Sequence, residues 1–434
     1  MTAKAAVTKR AFDGDTAELQ TLCVSITDCH HSTPNWTDEG RVVIRSENIK
    51  NGKVSLNDTS FTDEATFQKR ISRSIPDPGD LIITREAPMG EIGMIPDGVT
   101  CCLGQRLVLV KPDAAKLDKH YLLYAMQSEF VQKQIGASDD TGSTVSNLRI
   151  PLLKELAIPL LGDKAAQKKI AEVLSALDAK IDLNNRISAE LEALAKTIYD
   201  YWFVQFDFPD ANGRPYKTSG GKMVWNNTLK REIPAEWESG LLGDIVSLER
   251  GVTYSKEDVR SLADVQSSGV LRATNVSGNK IDLNDLVRID SHKIASKQKI
   301  FTLETLIVMS SGSKEHVGKN GVYYFDEAVA FGAFCSKIVP DAKRRWFVST
   351  FLRSGWFKSY INNQCLGTNI NNLRNEHIRD CLIVKPDDAA SSRFEATVDS
   401  FYKRIANNTV ECRTLEQLRD WLLPLLMNGQ VKVA

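Results

Sequence analysis

The sequence lacks any apolar run of about 18 residues, so it predicts no transmembrane helix. Its 8 cysteines are scattered without a C-x-x-C pair, which argues against a disulfide framework and favours reduced thiols. The N-terminal residues lack the apolar segment of a secretory signal, and we expect a cytoplasmic protein. Basic and acidic side chains number 55 each, so any surface for an anionic partner must be local.

Motifs for catalysis are also missing. No Pro-Pro pair is present, which excludes the Asn/Asp-Pro-Pro-aromatic loop of a methyltransferase. The segment from Gly312 to Lys319 resembles a phosphate loop, but five residues separate its glycines and no Ser or Thr follows the lysine. Adjacent residues of an extended chain point to opposite faces, which argues against a metal site at residues 29–31, Cys-His-His. We expect neither a bound metal nor catalysis by this chain alone.

The chain contains an internal repeat. The segment GSTVSNLR at residues 142–149 recurs as GTNINNLR at residues 367–374, 225 positions later. Three further features recur in the same order: a GDLIITR or ETLIVMS strand (79–85, 304–310), an aromatic-rich helix (120–126, 346–352) and an apolar strand ending in proline (156–159, 382–386). The repeat is longer than a solenoid unit, so it predicts a duplicated domain.

A long helical segment follows each copy, with apolar residues at intervals of three and four, as in a coiled coil. These residues are Ile170, Leu174, Leu177, Ile181, Ile187, Leu191, Leu194 and Ile198 in the first segment, and Phe394, Val398, Phe401, Ile405, Leu415, Leu418 and Leu422 in the second. Asparagine pairs at 184–185 and 407–408 interrupt both patterns, and a buried asparagine fixes register. We expect the two helices to pair. The alternative is that each packs on its own domain.

These features predict an α+β protein with a pseudo-twofold internal repeat. Its predicted parts are a first domain (1–160), a first long helix (161–207), a turn-rich linker (208–235), a second domain (236–387) and a second long helix (388–434).

The chain resembles the specificity (S) subunit of type I restriction–modification systems over almost its whole length. The segments that carry the resemblance are ITDCHHSTP (26–34), IPLL (158–161), QKKIAEVLSALDAKID (167–182), LEALA (191–195), WFVQFDFP (202–209), IPAEWE (233–238) and LGD (242–244). Cys29 stands where the family often has glycine, and the second half lacks the paired histidines.

The resemblance implies a non-catalytic DNA-recognition subunit. Two target recognition domains would each bind one half of a bipartite, asymmetric site in double-stranded DNA. Two long antiparallel helices would hold the domains apart, set the spacer between the half-sites and dock two methyltransferase subunits. S-adenosylmethionine, Mg²⁺ and ATP would bind partner subunits, which include two restriction subunits, and none would bind this chain. A partner that flips the target base into its own pocket explains why this chain needs no catalytic residue.

Side chains with paired donors or acceptors at loop tips are the candidates for DNA contact. They are His30, His31, Arg85, Thr144, Asn147 and Arg149 in the first domain, and Ser310, Ser311, Lys314, Asn369, Asn371 and Arg374 in the second. We interpret Arg149 and Arg374 either as phosphate contacts or as ion-paired scaffold. Leu148 and Leu373 are expected in the core, and Trp202, Phe203 and Trp421 are expected to pack against protein, either a partner or the opposite domain.

Two other functions compete with this one. A stand-alone bivalent DNA-binding regulator could use the same domains, and co-purification with a methyltransferase separates it from a specificity subunit. A coiled-coil scaffold that binds no DNA is consistent with zero net charge, and salt-dependent DNA binding by the assembled complex would exclude it.

Overall fold

The apolar segments of the first half form two mixed sheets and a small closing sheet. The computed structural model describes residues 12, 14–137, 147–261, 264–364 and 372–433. The strands of this half are β1 (Thr16–Glu18), β2 (Cys23–Asp28), β3 (Trp36–Thr37), β4 (Arg41–Ile44), β5 (Ile49–Lys50), β6 (Gly52–Val54), β7 (Ser60–Thr62), β8 (Leu81–Thr84), β9 (Ile92–Met94), β10 (Cys101–Leu103), β11 (Leu107–Pro112) and β12 (Ala157–Pro159). Their orders are β2-β11-β8-β9-β6-β5, β10-β4-β7-β3 and β1-β12.

Among the described residues of this half, five helices accompany these strands: α1 (Glu64–Ile71), α2 (Lys119–Gln127), α3 (Glu129–Ala137), α4 (Ile150–Lys154) and the long α5 (Lys164–Tyr199). Helix α2 begins after Asp118, whose carboxylate accepts hydrogen bonds from the amides of His120 and Tyr121 at 2.9 and 3.0 Å. The buried Tyr121 hydroxyl donates to the Pro159 carbonyl at 2.9 Å. The helix is thereby tied to the strand that closes the domain.

The second half has strands β13 (Met223–Asn226), β14 (Arg231–Pro234), β15 (Glu238–Leu241), β16 (Val246–Arg250), β17 (Ser267–Leu271), β18 (Val276–Ser277), β19 (Lys280–Ile281), β20 (Val287–Asp290), β21 (Lys299–Ile300), β22 (Thr305–Val308), β23 (Asn320–Val322), β24 (Val329–Phe331), β25 (Cys335–Pro340) and β26 (Leu382–Lys385). Its larger sheets are β16-β25-β22-β23 and β20-β17-β24-β21, beside the pairs β15-β26, β13-β14 and β18-β19. Its helices are α6 (Arg345–Leu352), α7 (Gly355–Gln364), α8 (Asn375–Arg379) and the long α9 (Asp388–Met427).

The two halves repeat one order of elements. Strand β11 lies between β2 and β8, and β25 lies between β16 and β22. In each half the first strand of the domain pairs antiparallel with the last, β1 with β12 and β15 with β26. The prediction of an α+β fold is confirmed, and both halves share this order of elements.

The long helices contribute to two compact units. The first unit is Met1–Ile181 with Thr414–Ala434, and the second is Asp182–Arg413. Within the first, Arg419 of α9 pairs with Asp178 of α5 at 2.9 Å. Within the second, Asn184 donates to Glu411 at 2.8 Å, whereas the Tyr199 and Phe394 rings are 6.0 Å apart. In that unit residue numbers rise along α5 as they fall along α9, so the two helices run antiparallel.

The buried helix faces differ from the prediction at two positions. Leu194 is 45% exposed and Leu418 is 39% exposed, whereas the neighbouring Ala195 is fully buried. Of each asparagine pair only one is buried, Asn184 in α5 and Asn408 in α9. The Asn408 amide donates to the Ser188 hydroxyl at 3.2 Å, so the buried polar groups contact each other across the helix pair.

The segment expected to be a linker (208–235) is part of the second domain's packing. Strands β13 and β14 form an antiparallel hairpin in it. Phe208 is buried and stacks on Trp237 at 4.7 Å and on Tyr216 at 4.6 Å. The turn residues that suggested a linker therefore connect packed elements. In the described parts of the chain no helix has the length and apolarity needed to span a membrane.

Candidate nucleic-acid interface

Several predicted site residues of the first domain lie together where three strands end. We call residues 28–31, 85–86, 105–106 and 147 the first loop edge. Main-chain hydrogen bonds connect its parts: Cys29 N to Leu107 O at 3.1 Å, Arg85 N to Arg106 O at 2.8 Å, and Leu148 N to Arg85 O at 3.0 Å. Leu148 is fully buried, as predicted, and anchors this connection.

Arg85 is the centre of a polar network in this edge. Its side chain is 14% exposed, and Nη1 lies 3.1 and 3.0 Å from the two carboxylate oxygens of Asp28. Nε donates to the Leu148 carbonyl at 3.1 Å, and Nη2 donates to the Asn147 side-chain oxygen at 3.2 Å. Asn147 in turn donates to Glu86 at 2.8 Å. Most of the hydrogen-bonding capacity of Arg85 and Asn147 is therefore used inside the domain.

The two histidines occupy a loop that is held by its carbonyl groups. Arg70 is buried and donates to the carbonyls of His30, at 3.3 Å, and Ser32. The His31 imidazole lies 3.0 Å from Asp28 and is 60% exposed. Burial, together with nearby Arg73 and Arg70, lowers the pKa of His30 below its ordinary value. The lowered pKa favours the neutral imidazole, which can both donate and accept a hydrogen bond.

The second domain forms a corresponding loop edge, which we define as residues 250–253, 309–311, 333–334 and 372. The same main-chain bonds are present: Gly251 N to Cys335 O at 3.3 Å, Met309 N to Phe334 O at 2.8 Å, and Leu373 N to Met309 O at 2.7 Å. Leu373 is buried, as predicted. Ser310 forms an isolated β-bridge with Asn372, and Ser311 follows it.

This correspondence corrects one sequence assignment. The predicted equivalent of Arg85 was Ser310, but the shared bonds place Met309 at that position. Met309 is buried and apolar, so the second edge has no counterpart of the Arg85 network among the residues described there. The strand pairing likewise places Arg250 opposite Ser336, where Asp28 lies opposite Val108 in the first domain.

Two exposed residues, one at each loop edge, were not among the residues predicted from the sequence. Arg106 and Phe334 occupy the same position of the two edges. The Arg106 carbonyl accepts a hydrogen bond from Arg85 N, and the Phe334 carbonyl accepts the corresponding one from Met309 N. The Arg106 side chain is 56% exposed and ion-paired with Glu86 at 3.1 Å, whereas Phe334 is 65% exposed. The signal was available in the sequence, since an apolar residue and a glycine precede both: LGQR at 103–106 and FGAF at 331–334.

The other predicted contacts are placed as follows. Arg149 and Arg374 are exposed and immediately precede α4 and α8. Lys314 is exposed in a short 3₁₀ turn, Lys314–His316. Three of the candidates, Thr144, Asn369 and Asn371, lie outside the described residues.

The aromatic and basic residues near the helices also have defined environments. Trp202 and Phe203 are buried, and their rings lie 5.9 and 5.0 Å from Phe394, so they pack against protein as predicted. Trp421 is 62% exposed, so its predicted packing against a partner or the opposite domain stays a prediction. Arg344 is buried and ion-paired with Asp388 at 2.8 Å, so it does not contribute to an exposed basic surface at the basic stretch 343–345.

Comparison with known proteins finds relatives of a single kind. A family model described as the type I restriction modification DNA specificity domain matches residues 34–193. The specificity subunit of the type I restriction enzyme MjaIX of Methanocaldococcus jannaschii is 26% identical over 385 residues, which cover 88% of this chain and 83% of the relative. The chain thus contains a type I restriction modification DNA specificity domain and is similar to type I specificity subunits over most of its length. DNA-sequence recognition is accordingly its function.

Two further comparisons agree with the family. The EcoKI specificity subunit of Escherichia coli (strain K12) is 32% identical over 144 residues, which cover 33% of this chain and 31% of the relative. The crystal structure of an S subunit from M. genitalium has the same fold, with a TM-score of 0.56, 16% identity and coverage of 96% of both chains. Together these similarities extend the family's fold over both halves of the chain.

Proposed function

We propose that each loop edge reads one half of a bipartite, asymmetric DNA sequence within a type I restriction–modification complex. The observation that carries the proposal is that one backbone arrangement occurs twice with different side chains. The first edge presents His31 and Arg106, and the second presents Arg250 and Phe334. Two domains that dock alike but expose different groups suit a target with two unlike halves.

Within each edge the side chains have different tasks. Arg85 is a positioning residue, because its donors are engaged by Asp28, Asn147 and a main-chain carbonyl. The exposed residues are the DNA contacts, together with Ser311, Lys314 and the candidates in the undescribed loops. Arg374 is exposed and contacts phosphate, so its loss should weaken binding to every sequence alike.

The long helices set the spacer between the half-sites. Helix α5 has 36 residues and α9 has 40, which at ~1.5 Å per residue corresponds to about 54 and 60 Å. One turn of B-DNA rises about 34–36 Å, so helices of this length can serve grooves one turn or more apart. Inserting one helical turn in both helices should lengthen the spacer by one to two base pairs. An unchanged spacer in that variant would refute the proposal that helix length sets the spacer.

The catalytic steps belong to partner subunits. Two methyltransferase subunits dock on the helices and supply S-adenosylmethionine and the pocket for the flipped adenine. Two restriction subunits add ATP- and Mg²⁺-dependent translocation and cleavage. Trp421 is a candidate for the docking surface, because this large aromatic side chain is exposed on α9.

Methylation mapping tests the proposal directly. The chain is expressed with its neighbouring methyltransferase in cells without other adenine methylation, and N6-methyladenine is located by methylation-aware sequencing. The expected result is a two-part motif with a fixed gap. Cells with the methyltransferase alone are the control. If they show the same marks, or if an active methyltransferase gives no bipartite motif, the chain is not its specificity subunit, and a stand-alone binder becomes the better explanation.

A further inference from the structure

The turn that precedes β11 in the first domain and β25 in the second is fixed in the same way in both. The amide of its glycine donates to the neighbouring strand, Gly104 to Ile44 at 2.7 Å and Gly332 to Leu271 at 2.9 Å. Two residues after each glycine, the carbonyls of Arg106 and Phe334 accept the main-chain hydrogen bonds from Arg85 N and Met309 N. The backbone therefore holds the residue at this position without any help from its side chain.

The two side chains at this position are chemically opposite. Arg106 is a cation whose guanidinium is oriented by Glu86. Phe334 is a large apolar ring, 65% exposed, on a turn whose carbonyl also accepts a hydrogen bond from Ser310 N at 3.2 Å. Ser310 is bridged to Asn372, so main-chain contacts join this turn to the rest of the second loop edge. No described neighbour covers most of the ring, so it is open to packing by an apolar group of a ligand.

In the major groove only one base carries such a group: thymine, through its 5-methyl. We propose that Phe334 is a specificity-determining residue that recognises a thymine of the second half-site by packing on this methyl group. The inference rests on the proposed DNA-reading role of the second edge. It predicts that the two halves use different chemistry at one structural position, hydrogen bonding from Arg106 in the first and apolar contact from Phe334 in the second.

Deoxyuridine is the probe, because it differs from thymidine only by the missing methyl. The complex of this chain with its methyltransferase is titrated into labelled duplexes that carry the mapped bipartite motif. Each thymine of the second half-site is replaced in turn by deoxyuridine. With the unmodified chain, one position should weaken binding about fourfold, which is the effect of losing one buried methyl group. With Phe334→Ala, duplexes with thymine or deoxyuridine at that position should bind equally well, and thymine duplexes should bind roughly tenfold more weakly than to the unmodified chain.

Two variants serve as controls. Phe334→Leu keeps an apolar group and should retain part of the thymine preference. Arg106→Ala changes the same turn of the first domain and should leave the thymine preference of the second half-site intact. Because Phe334 is exposed, Phe334→Ala should unfold at the same temperature as the unmodified chain, which separates a contact from a folding defect.

The outcomes separate this inference from the proposed function. If the complex shows no preference for the bipartite duplex, the proposed function fails. If it binds the motif but tolerates deoxyuridine everywhere in the second half-site, or if Phe334→Ala keeps the thymine preference, the inference alone is overturned. An equal loss of affinity by Phe334→Ala on all duplexes would identify the ring as a non-specific wedge and would also overturn it.

Discussion

Replacing Arg85 with methionine should loosen the first loop edge, although methionine is the residue that the second domain uses there. The first domain has arranged polar groups around a cation: both carboxylate oxygens of Asp28, the Leu148 carbonyl and the Asn147 amide oxygen. A methionine side chain at this position would leave all of them without the guanidinium donor. Asp28 would retain only the exposed His31 among its described side-chain partners at the edge.

The expected loss follows from these contacts. A hydrogen bond to a charged group contributes about 1.5–3 kcal/mol, and we take about 1.5 kcal/mol because Asp28 is 28% exposed to solvent. The contacts to Leu148 and Asn147 add about 0.5–1 kcal/mol each. The total is about 3 kcal/mol. This corresponds to a rise of roughly 150-fold in the population of the opened edge.

Native-state hydrogen exchange measures this opening. The amides of Arg85 and Leu148 are hydrogen-bonded at the edge and should exchange faster in R85M, whereas peptides covering β22 of the second domain are the internal control. A double-mutant cycle with D28N isolates the ion pair, and we expect a coupling energy of about 1.5 kcal/mol. An increase in exchange of less than about fivefold, or effects that simply add, would falsify the assignment of Arg85 as the positioning residue.

Three other perturbations have expected outcomes. Burial raises the pKa of the Glu395 carboxyl to about 7, above its ordinary value of 4.5. Between these pH values the folded state binds a proton that the unfolded state has lost, so the free energy of unfolding should fall as the pH rises. Glu395→Gln should remove this pH dependence in chemical unfolding at pH 5 and pH 8. Trp202→Ala should destabilise the chain by about 3–5 kcal/mol, whereas Trp421→Ala, at an exposed position, should change stability by less than about 0.5 kcal/mol and weaken co-purification of the methyltransferase. Gly251→Ala should lower the free energy of unfolding by about 1–3 kcal/mol, measured by thermal unfolding, because its new Cβ would lie 2.2 Å from the Gly332 carbonyl oxygen. Cys29→Gly, at the equivalent position of the first domain, should be less destabilising. Equal losses of stability would contradict the steric argument.

The sequence predicted the order of the fold better than its fine register. The repeat identified the duplicated domain, and the buried Leu148 and Leu373 follow from the repeated NLR segment. The same repeat misplaced the equivalent of Arg85 by one residue, because the spacing of one segment was carried over to another. Loops between the strands tolerate insertions, so the spacing differs from segment to segment, and only the main-chain bonds reveal which residues correspond.

The helix interfaces show a related limit. A spacing of three and four identifies an amphipathic helix, yet Leu194 is exposed and Ala195 is buried. An α-helix drifts by about 20° per heptad relative to a strict seven-residue repeat, so over 36 residues the buried face moves off any single stripe. The helix also packs on the domain core, as the burial of Tyr199 shows, which widens the buried face beyond a two-helix interface. The periodicity of apolar residues predicts neither the drift of the buried face nor the packing of the helix on the domain core.

The polar network of Arg85 was not predictable for a different reason. Asp28, Arg85 and Asn147 are far apart in sequence, and only the ends of β2 and β8 and the start of α4 bring them together. The main-chain bonds that assemble both loop edges use no side chain, so the same edge forms around Arg85 in one domain and Met309 in the other. Side chains at the edge can therefore change without loss of the fold. Arg106 and Phe334 illustrate this freedom, since both are held by their carbonyls and both are exposed. A domain built in this way can acquire a new DNA target by substitution at the edge, and the strongest constraint should fall on positions such as Gly251, where the backbone itself leaves no room.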